Sequence, residues 1–117
     1  MIEAYLYEHL KTNVPLVGGR VFANILHQDT VKPALVYTVI SETPSVSLSG
    51  DCSDEETERQ WEINIYADEY FLNKKVKNEV KVALSSFSHR VADVVIEDSF
   101  DMEAHLFVQV VNFKTKD

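Results

Sequence analysis

The spacing of apolar residues predicts two helices in this chain. Over residues 2–12 the apolar side chains recur three and four positions apart, as on one face of a short amphipathic helix. Pro15 and the two glycines that follow it end this helix. A second stripe with the same spacing runs from Leu72 to Phe87, and Asp68 is its predicted N-cap.

Five further segments have the residue pattern of strands. Residues 61–67 alternate between apolar and polar side chains, which predicts a strand with one buried and one wet face. Residues 34–40 are apolar on both faces, which indicates a central strand covered on both sides, or covered on one side by a neighbouring subunit. The other predicted strands are residues 21–26, 94–96 and 106–113.

The predicted element order is α-β-β-β-α-β-β. It indicates the α+β class, with a mostly antiparallel sheet packed by two helices. The length of 117 residues fits a single domain over 1–117. The predicted core comprises Leu6, Leu10, Val36, Val39, Trp61, Ile63, Ile65, Leu72, Val76, Val80, Leu84, Val108 and Val110.

Composition and charge narrow the classes of function. The chain has 11 Lys and Arg against 19 Asp and Glu, a net charge of −8, which weighs against specific nucleic-acid binding. With only three glycines there is no phosphate-binding loop, so nucleotide chemistry is not expected. The N-terminus does not resemble a signal peptide, and no apolar run approaches the ~20 residues of a membrane helix. We therefore expect a soluble protein with no membrane partner.

The histidines, the cysteine and the aromatic residues do not have the spacing of a catalytic or metal-binding site. No two of the four histidines have the spacing of a metal pair, and no metal or other cofactor is predicted. Cys52 is the only cysteine, and the carboxylates around it disfavour a reactive thiolate. Trp61, Tyr66 and Tyr70 are candidates for a base-stacking platform, but Trp61 shares a strand face with isoleucines and is expected in the core.

Two patches of opposite charge are the clearest candidates for a binding surface. A predicted mobile acidic loop at about 43–60 carries one of them, and the second helix carries the other. Such patches suit contact between neighbouring copies, although each is also what an ordinary solvated surface provides. The acidic residues are Asp51, Asp54, Glu55, Glu56 and Glu58, and the basic ones are Lys74, Lys75, Lys77 and Lys81.

Three short stretches carry a resemblance to a known family. They are Gly19-Arg20-Val21-Phe22, Pro33-Ala34-Leu35-Val36-Tyr37 and Arg59-Gln60-Trp61-Glu62-Ile63-Asn64-Ile65-Tyr66-Ala67, the last leading directly into the second helix. With them the chain resembles, from Ile2 to Phe113, the small phage tail-completion proteins. These are the tail terminators or head-tail joining proteins of siphophage-like tails and prophages.

The resemblance implies a non-enzymatic role with no catalytic residues. Copies would assemble as a ring, commonly a hexamer, that caps the tail tube and offers a surface to a head-completion or neck protein. The implied partners are further copies, the tail-tube protein and that neck protein. The implied location is the tail-neck junction of the virion, and the host cytoplasm during assembly. The two charged patches would supply the two different surfaces that a head-to-tail ring requires.

Two alternatives come from other classes of protein. A small acidic inhibitor or antitoxin-like module would use the charge of −8 to occupy a basic nucleic-acid-binding site on a partner. A small hydrolase ranks third, because the sequence shows neither a triad nor a metal set.

Overall fold

The structure is a computed structural model that describes residues 2–27, 29–44 and 57–116. Its element order confirms the predicted α-β-β-β-α-β-β arrangement. None of the helices in the described ranges is long and apolar enough to span a membrane. The elements are α1 (Ile2–Asn13), a short 3-10 turn (Pro15–Val17), β1 (Val21–Ala23), β2 (Ala34–Pro44), β3 (Thr57–Ala67), α2 (Tyr70–Ser85), β4 (Arg90–Asp101) and β5 (Leu106–Lys116).

The five strands form one sheet in the order β1-β2-β3-β5-β4. β1 runs parallel to β2, and the other three pairings are antiparallel, as predicted. The two edge strands differ in length, since β1 has three residues and β4 has 12. The long edge strand is therefore the one that follows α2.

The main core lies between the two helices and one face of the sheet. Trp61 at its centre is fully buried, and its ring stacks on Phe113 with the centroids 6.2 Å apart. The indole Nε1 donates a hydrogen bond of 2.8 Å to Thr115 Oγ1, so its polar atom is satisfied. Leu6 and Leu10 from α1, and Val76, Val80 and Leu84 from α2, complete this cluster, as predicted.

The core prediction is wrong for one residue of β5, Val110. Val111 and Phe113 face the helices, whereas Val110 points to the other face and is only half-buried. Val108 is buried, but it lies outside the helix-side cluster. Residues 106–111 are almost continuously apolar, so their pattern does not distinguish the two faces. Val39 and Leu72 are half-buried at the margin of the core.

Several predicted boundaries are also wrong. β1 stops at Ala23, because Asn24 adopts a φ of 67° that a strand does not accommodate. The N-cap of α2 is Glu69 rather than Asp68, and its side chain makes no capping hydrogen bond. β2 and β3 are longer than predicted and take up both ends of the loop expected at about 43–60, and residues 45–56 of that loop lie outside the described ranges.

β4 is four times as long as the segment that the sequence predicted. The prediction was too short because most residues of β4 are polar or exposed and give no apolar pattern. The apolar pattern identified only residues 94–96, whereas the strand runs over 90–101. Pairing with β5, from Arg90 opposite Lys116 to Asp101 opposite Leu106, holds these polar residues in the sheet.

Asn73 fixes α2 to the sheet through a polar contact inside the core. Its fully buried amide Nδ2 donates hydrogen bonds of 2.8 Å to the carbonyl of Ile65 and 3.1 Å to the carbonyl of Phe107. One helical side chain thus contacts both β3 and β5. Its position in the apolar stripe of α2 gave no signal of this role, since one buried polar residue does not change a helical period.

Candidate assembly surfaces

The four lysines of α2 do not form one uniform free surface. The ammonium of Lys74 lies 2.7 and 2.8 Å from the two carboxylate oxygens of Asp98 in β4 of the same chain. It also lies 5.3 Å from the centre of the Tyr70 ring, within cation-π range. Lys74 is therefore paired with a carboxylate of its own chain. The sequence pattern did not predict this pair, because Asp98 is 24 residues away.

The ion pair shifts the pKa values of both Lys74 and Asp98. The hydrogen bond to Asp98 raises the pKa of Lys74 above its ordinary value. The hydrogen bond from Lys74, followed by one from Gln109, lowers the pKa of Asp98. Gln109 Nε2 donates to the carboxylate oxygen that also contacts Lys74, so a buried amide orients the acid.

The other three lysines are more available to a partner. Lys75 and Lys81 are exposed and Lys77 is half-exposed. Within the described ranges, none of the three has a carboxylate within 4.0 Å of its ammonium. We define the basic surface of α2 as Lys75, Lys77 and Lys81, the lysines of the predicted patch without such a partner in the described ranges.

The acidic half of the predicted pair falls mostly outside the described residues. This applies to Asp51, Asp54, Glu55 and Glu56. Glu58 lies within β3, and its Oε1 is 3.7 Å from the ammonium of Lys114 in β5, which in turn is 3.8 Å from Asp93 in β4. Glu58 thus belongs to a cross-strand charge network rather than to a loop.

Three histidines among the remaining chemical candidates contact backbone or aromatic groups, and both His9 and His89 pack on the ring of Phe87. The ring of His9 contacts the carbonyl of Ala83 at 2.6 Å, His89 stacks on Tyr5, and His27 contacts Phe22 by its edge. In the described part of the chain no three His, Cys, Asp or Glu side chains come together as metal ligands would. Cys52 lies outside that part.

The three aromatic residues considered as a stacking platform do not form one. Trp61 is buried in the core, as predicted. Tyr66 lies five positions after Trp61 in β3, and because successive side chains of a strand alternate between faces, it points to the opposite face of the sheet. Tyr70 begins α2.

An aromatic patch near the start of α2 escaped sequence analysis. Phe71, which is 70% exposed, lies against Tyr70 at a centroid distance of 5.5 Å. Tyr70 and the exposed Phe100 of β4 both pack on Phe107. Exposed apolar groups that cluster in this way are typical of protein interfaces. The patch joins residues from three elements, so no local pattern predicts it.

Comparisons with known proteins support the fold. No protein-family model matches the chain. No curated protein matches it either. Among solved structures, the chain is similar to a chain in "Virion of native gene transfer agent (GTA) particle", with a TM-score of 0.67 and 13% sequence identity. The similarity covers 97% of this chain and 92% of that chain. At this identity the two chains share a fold across nearly their whole lengths.

Proposed function

We propose that the chain is a non-enzymatic virion assembly protein that caps a phage tail tube as a ring and provides the head-tail joining surface. The observation that carries the proposal is the similarity, over 97% of this chain, to a chain of a gene transfer agent virion. The tail-terminator features of residues 19–22, 33–37 and 59–67 agree with it. The proposed location is the tail-neck junction, with assembly in the host cytoplasm.

The exposed side chains suit a protein that functions among copies of itself. Large apolar groups are exposed at the start of α2, along β4 and on the segment after β1. Because β4 is one of the two outermost strands, the exposed groups along it lie at an edge of the sheet. A ring of identical subunits needs two different surfaces of this kind on each copy.

The net charge fits the same role. A channel lined by subunits that each carry −8 repels the DNA phosphates that travel through a tail, so DNA passes without binding to the wall. The basic residues of α2 are too few to reverse this, since Lys74 is already paired with Asp98.

We retain the proposed contact between the acidic segment of one subunit and α2 of the next, revised on both sides. Lys75, Lys77 and Lys81 are its basic side, and Lys74 is removed from it because its charge is satisfied within the chain. Its acidic side is Asp51, Asp54, Glu55 and Glu56, and Glu58 is removed for the same reason as Lys74, since it pairs with Lys114 in its own chain. Exposed ion pairs contribute about 0.2 to 1 kcal/mol each, so only a combined reversal is expected to weaken assembly measurably.

Sedimentation velocity and negative-stain microscopy test the proposal. The purified chain is analysed alone and with the tail-tube protein of the same phage or prophage, and rings or capped tubes of fixed length are expected. Tubes that keep growing in the presence of the chain would refute the capping role. The triple variant Lys75→Glu, Lys77→Glu and Lys81→Glu tests the contact, and Lys11→Glu on α1 is a control for the reversal of one charge away from α2.

A further inference from the structure

A groove with an apolar floor opens where α2 meets the beginning of β4. Its volume is about 640 Å³, within the range of roughly 300 to 1,000 Å³ that is usual for binding pockets. Leu84, Phe87, Val91 and Val94 line it with apolar atoms, and Val94 is 46% exposed there. Val94 provides the exposed part of this apolar lining, because Leu84 and Phe87 are only 4% and 9% exposed.

The groove is positive in a protein that is negative overall. Lys81 and Arg90 lie on its rim, and no Asp or Glu is among the residues that line it. An occupant with an apolar side chain and flanking carboxylates would complement both the floor and the rim.

The turn between β4 and β5 has the properties of such an occupant. Met102 at its tip is 77% exposed, and Asp101 and Glu103 flank it. Asp101 Oδ1 accepts hydrogen bonds from the backbone N–H groups of Glu103 at 3.0 Å and Ala104 at 3.1 Å. These bonds hold the turn in one conformation, so little ordering entropy is lost when it binds.

The turn and the groove lie at opposite ends of the same strand. Val94 and Met102 are eight positions apart, which in an extended strand corresponds to about 26 Å. The turn therefore does not reach the groove of its own chain, but it can reach the groove of another copy.

We propose that the acidic turn of one copy, Asp101-Met102-Glu103, inserts into the groove of the next copy, with Met102 against Phe87 and Val94 and the two carboxylates beside Lys81 and Arg90. The contact is heterologous, since each copy offers one turn and one groove, and repetition of it generates a ring when the rotation closes. This inference deepens the proposed function and rests on the assembly of copies that it requires. A methionine suits such a groove because its flexible thioether adapts to irregular apolar surfaces.

Cysteine cross-linking tests this contact directly. In a Cys52→Ser background, one preparation carries Met102→Cys and a second, distinguishable by mass, carries Val94→Cys. Val31→Cys replaces Val94→Cys in the matched control, since Val31 is 66% exposed but is not among the residues that line the groove. We expect mild oxidation to link Met102→Cys to Val94→Cys at least about tenfold more efficiently than to Val31→Cys. Equal yields from the two mixtures would overturn the contact.

A second measurement separates failure of the contact from failure of the function. Met102→Glu and Val94→Glu are each expected to weaken self-association at least about tenfold while the circular dichroism spectrum is retained. When the Met102→Glu variant is mixed with the wild-type protein, assembly should stop at each variant subunit, because the variant keeps its groove but its turn no longer inserts into the next copy. Normal rings and normal tube capping by both variants would refute the contact and leave the proposed function standing. Efficient cross-linking by a chain that does not cap tubes would refute the function and leave the contact standing.

Discussion

The two faces of the sheet differ in how far their side chains are buried. On the helix-covered face, Trp61, Ile63 and Ile65 of β3 are fully buried against side chains from α1, α2 and β5. On the opposite face, Glu62 and Asn64 of the same strand are half-exposed and contact each other through a hydrogen bond of 3.1 Å. One strand therefore contributes both to the core and to a hydrated surface, with alternate residues doing each.

This difference shows which parts of the sequence carry stability and which remain available for assembly. Fully buried apolar area dominates folding free energy, whereas exposed charges add little to it. Substitutions on the covered face should therefore act on unfolding, and substitutions on exposed surfaces should act on association. Four measurements of stability test that separation.

Trp61→Ala is expected to have the largest effect. Loss of the stacked indole and of its hydrogen bond to Thr115 should lower the free energy of unfolding by about 3 to 5 kcal/mol. Glu62→Ala, the next residue but on the other face, should change it by less than about 0.5 kcal/mol. Urea denaturation of both variants provides the comparison, and similar losses would contradict the assignment of the two faces.

Asn73→Ala probes the polar contact inside the covered region. The variant leaves the carbonyls of Ile65 and Phe107 without their amide donor, which should cost about 1 to 3 kcal/mol. Asn78→Ala, at an exposed position of the same helix, is the control and should be nearly neutral. Equal midpoints in urea for the two variants would show that Asn73 does not hold α2 on the sheet.

Adjacent valines in β5 sharpen the comparison at a single strand. Val111→Ala removes two methyl groups' worth of buried volume and should cost about 1.6 kcal/mol, at about 0.8 kcal/mol per carbon. Val110→Ala, on the half-buried face, should cost less than half of that. Thermal unfolding of the pair measures the difference, and the reverse order would restore the orientation of β5 that the sequence predicted.

The smallest expected effect concerns the exposed pair of Lys74 and Asp98. Because the pKa of Asp98 is lowered in the folded chain, its contribution is present above the unfolded pKa of about 3.9 and is lost as pH falls through the folded value. Because the pKa of Lys74 is raised, its contribution is lost only as pH rises above about 10.4. Asp98→Asn should therefore differ from wild type between about pH 5 and 9, and the gap should close in stronger acid. A gap that widens in acid would exclude this pairing in solution.

The sequence predicted the fold where one face of an element is strictly apolar. Residues 61–67 alternate cleanly, so both the strand and its buried face are correct. Periodicity gave the wrong face for Val110, because β5 begins with a continuous apolar run, and it missed most of β4, because an edge strand is held by backbone pairing rather than by burial.

The candidate surfaces were less predictable than the fold. The charges of α2 are visible in the sequence, but the pairing of Lys74 with Asp98 depends on how α2 packs on β3 and β5, with β4 beside them. The groove draws its walls from Lys81 to Val94, across a helix end, a turn and a strand, and it has no periodic signature. Such surfaces follow from tertiary packing, which the spacing of residues along one chain does not encode locally.

The irregularity within β4 has a consequence for the chain before it meets any partner. Pairing with β5 shifts register between Ala92 and Val95, and Asp93 there adopts a φ of 55°. A long open edge that is interrupted in this way, and that carries the negative charge of Asp93 and Glu97, is a poor template for the unlimited addition of strands. Copies of the chain are therefore poorly suited to polymerise edge to edge into amyloid-like fibrils.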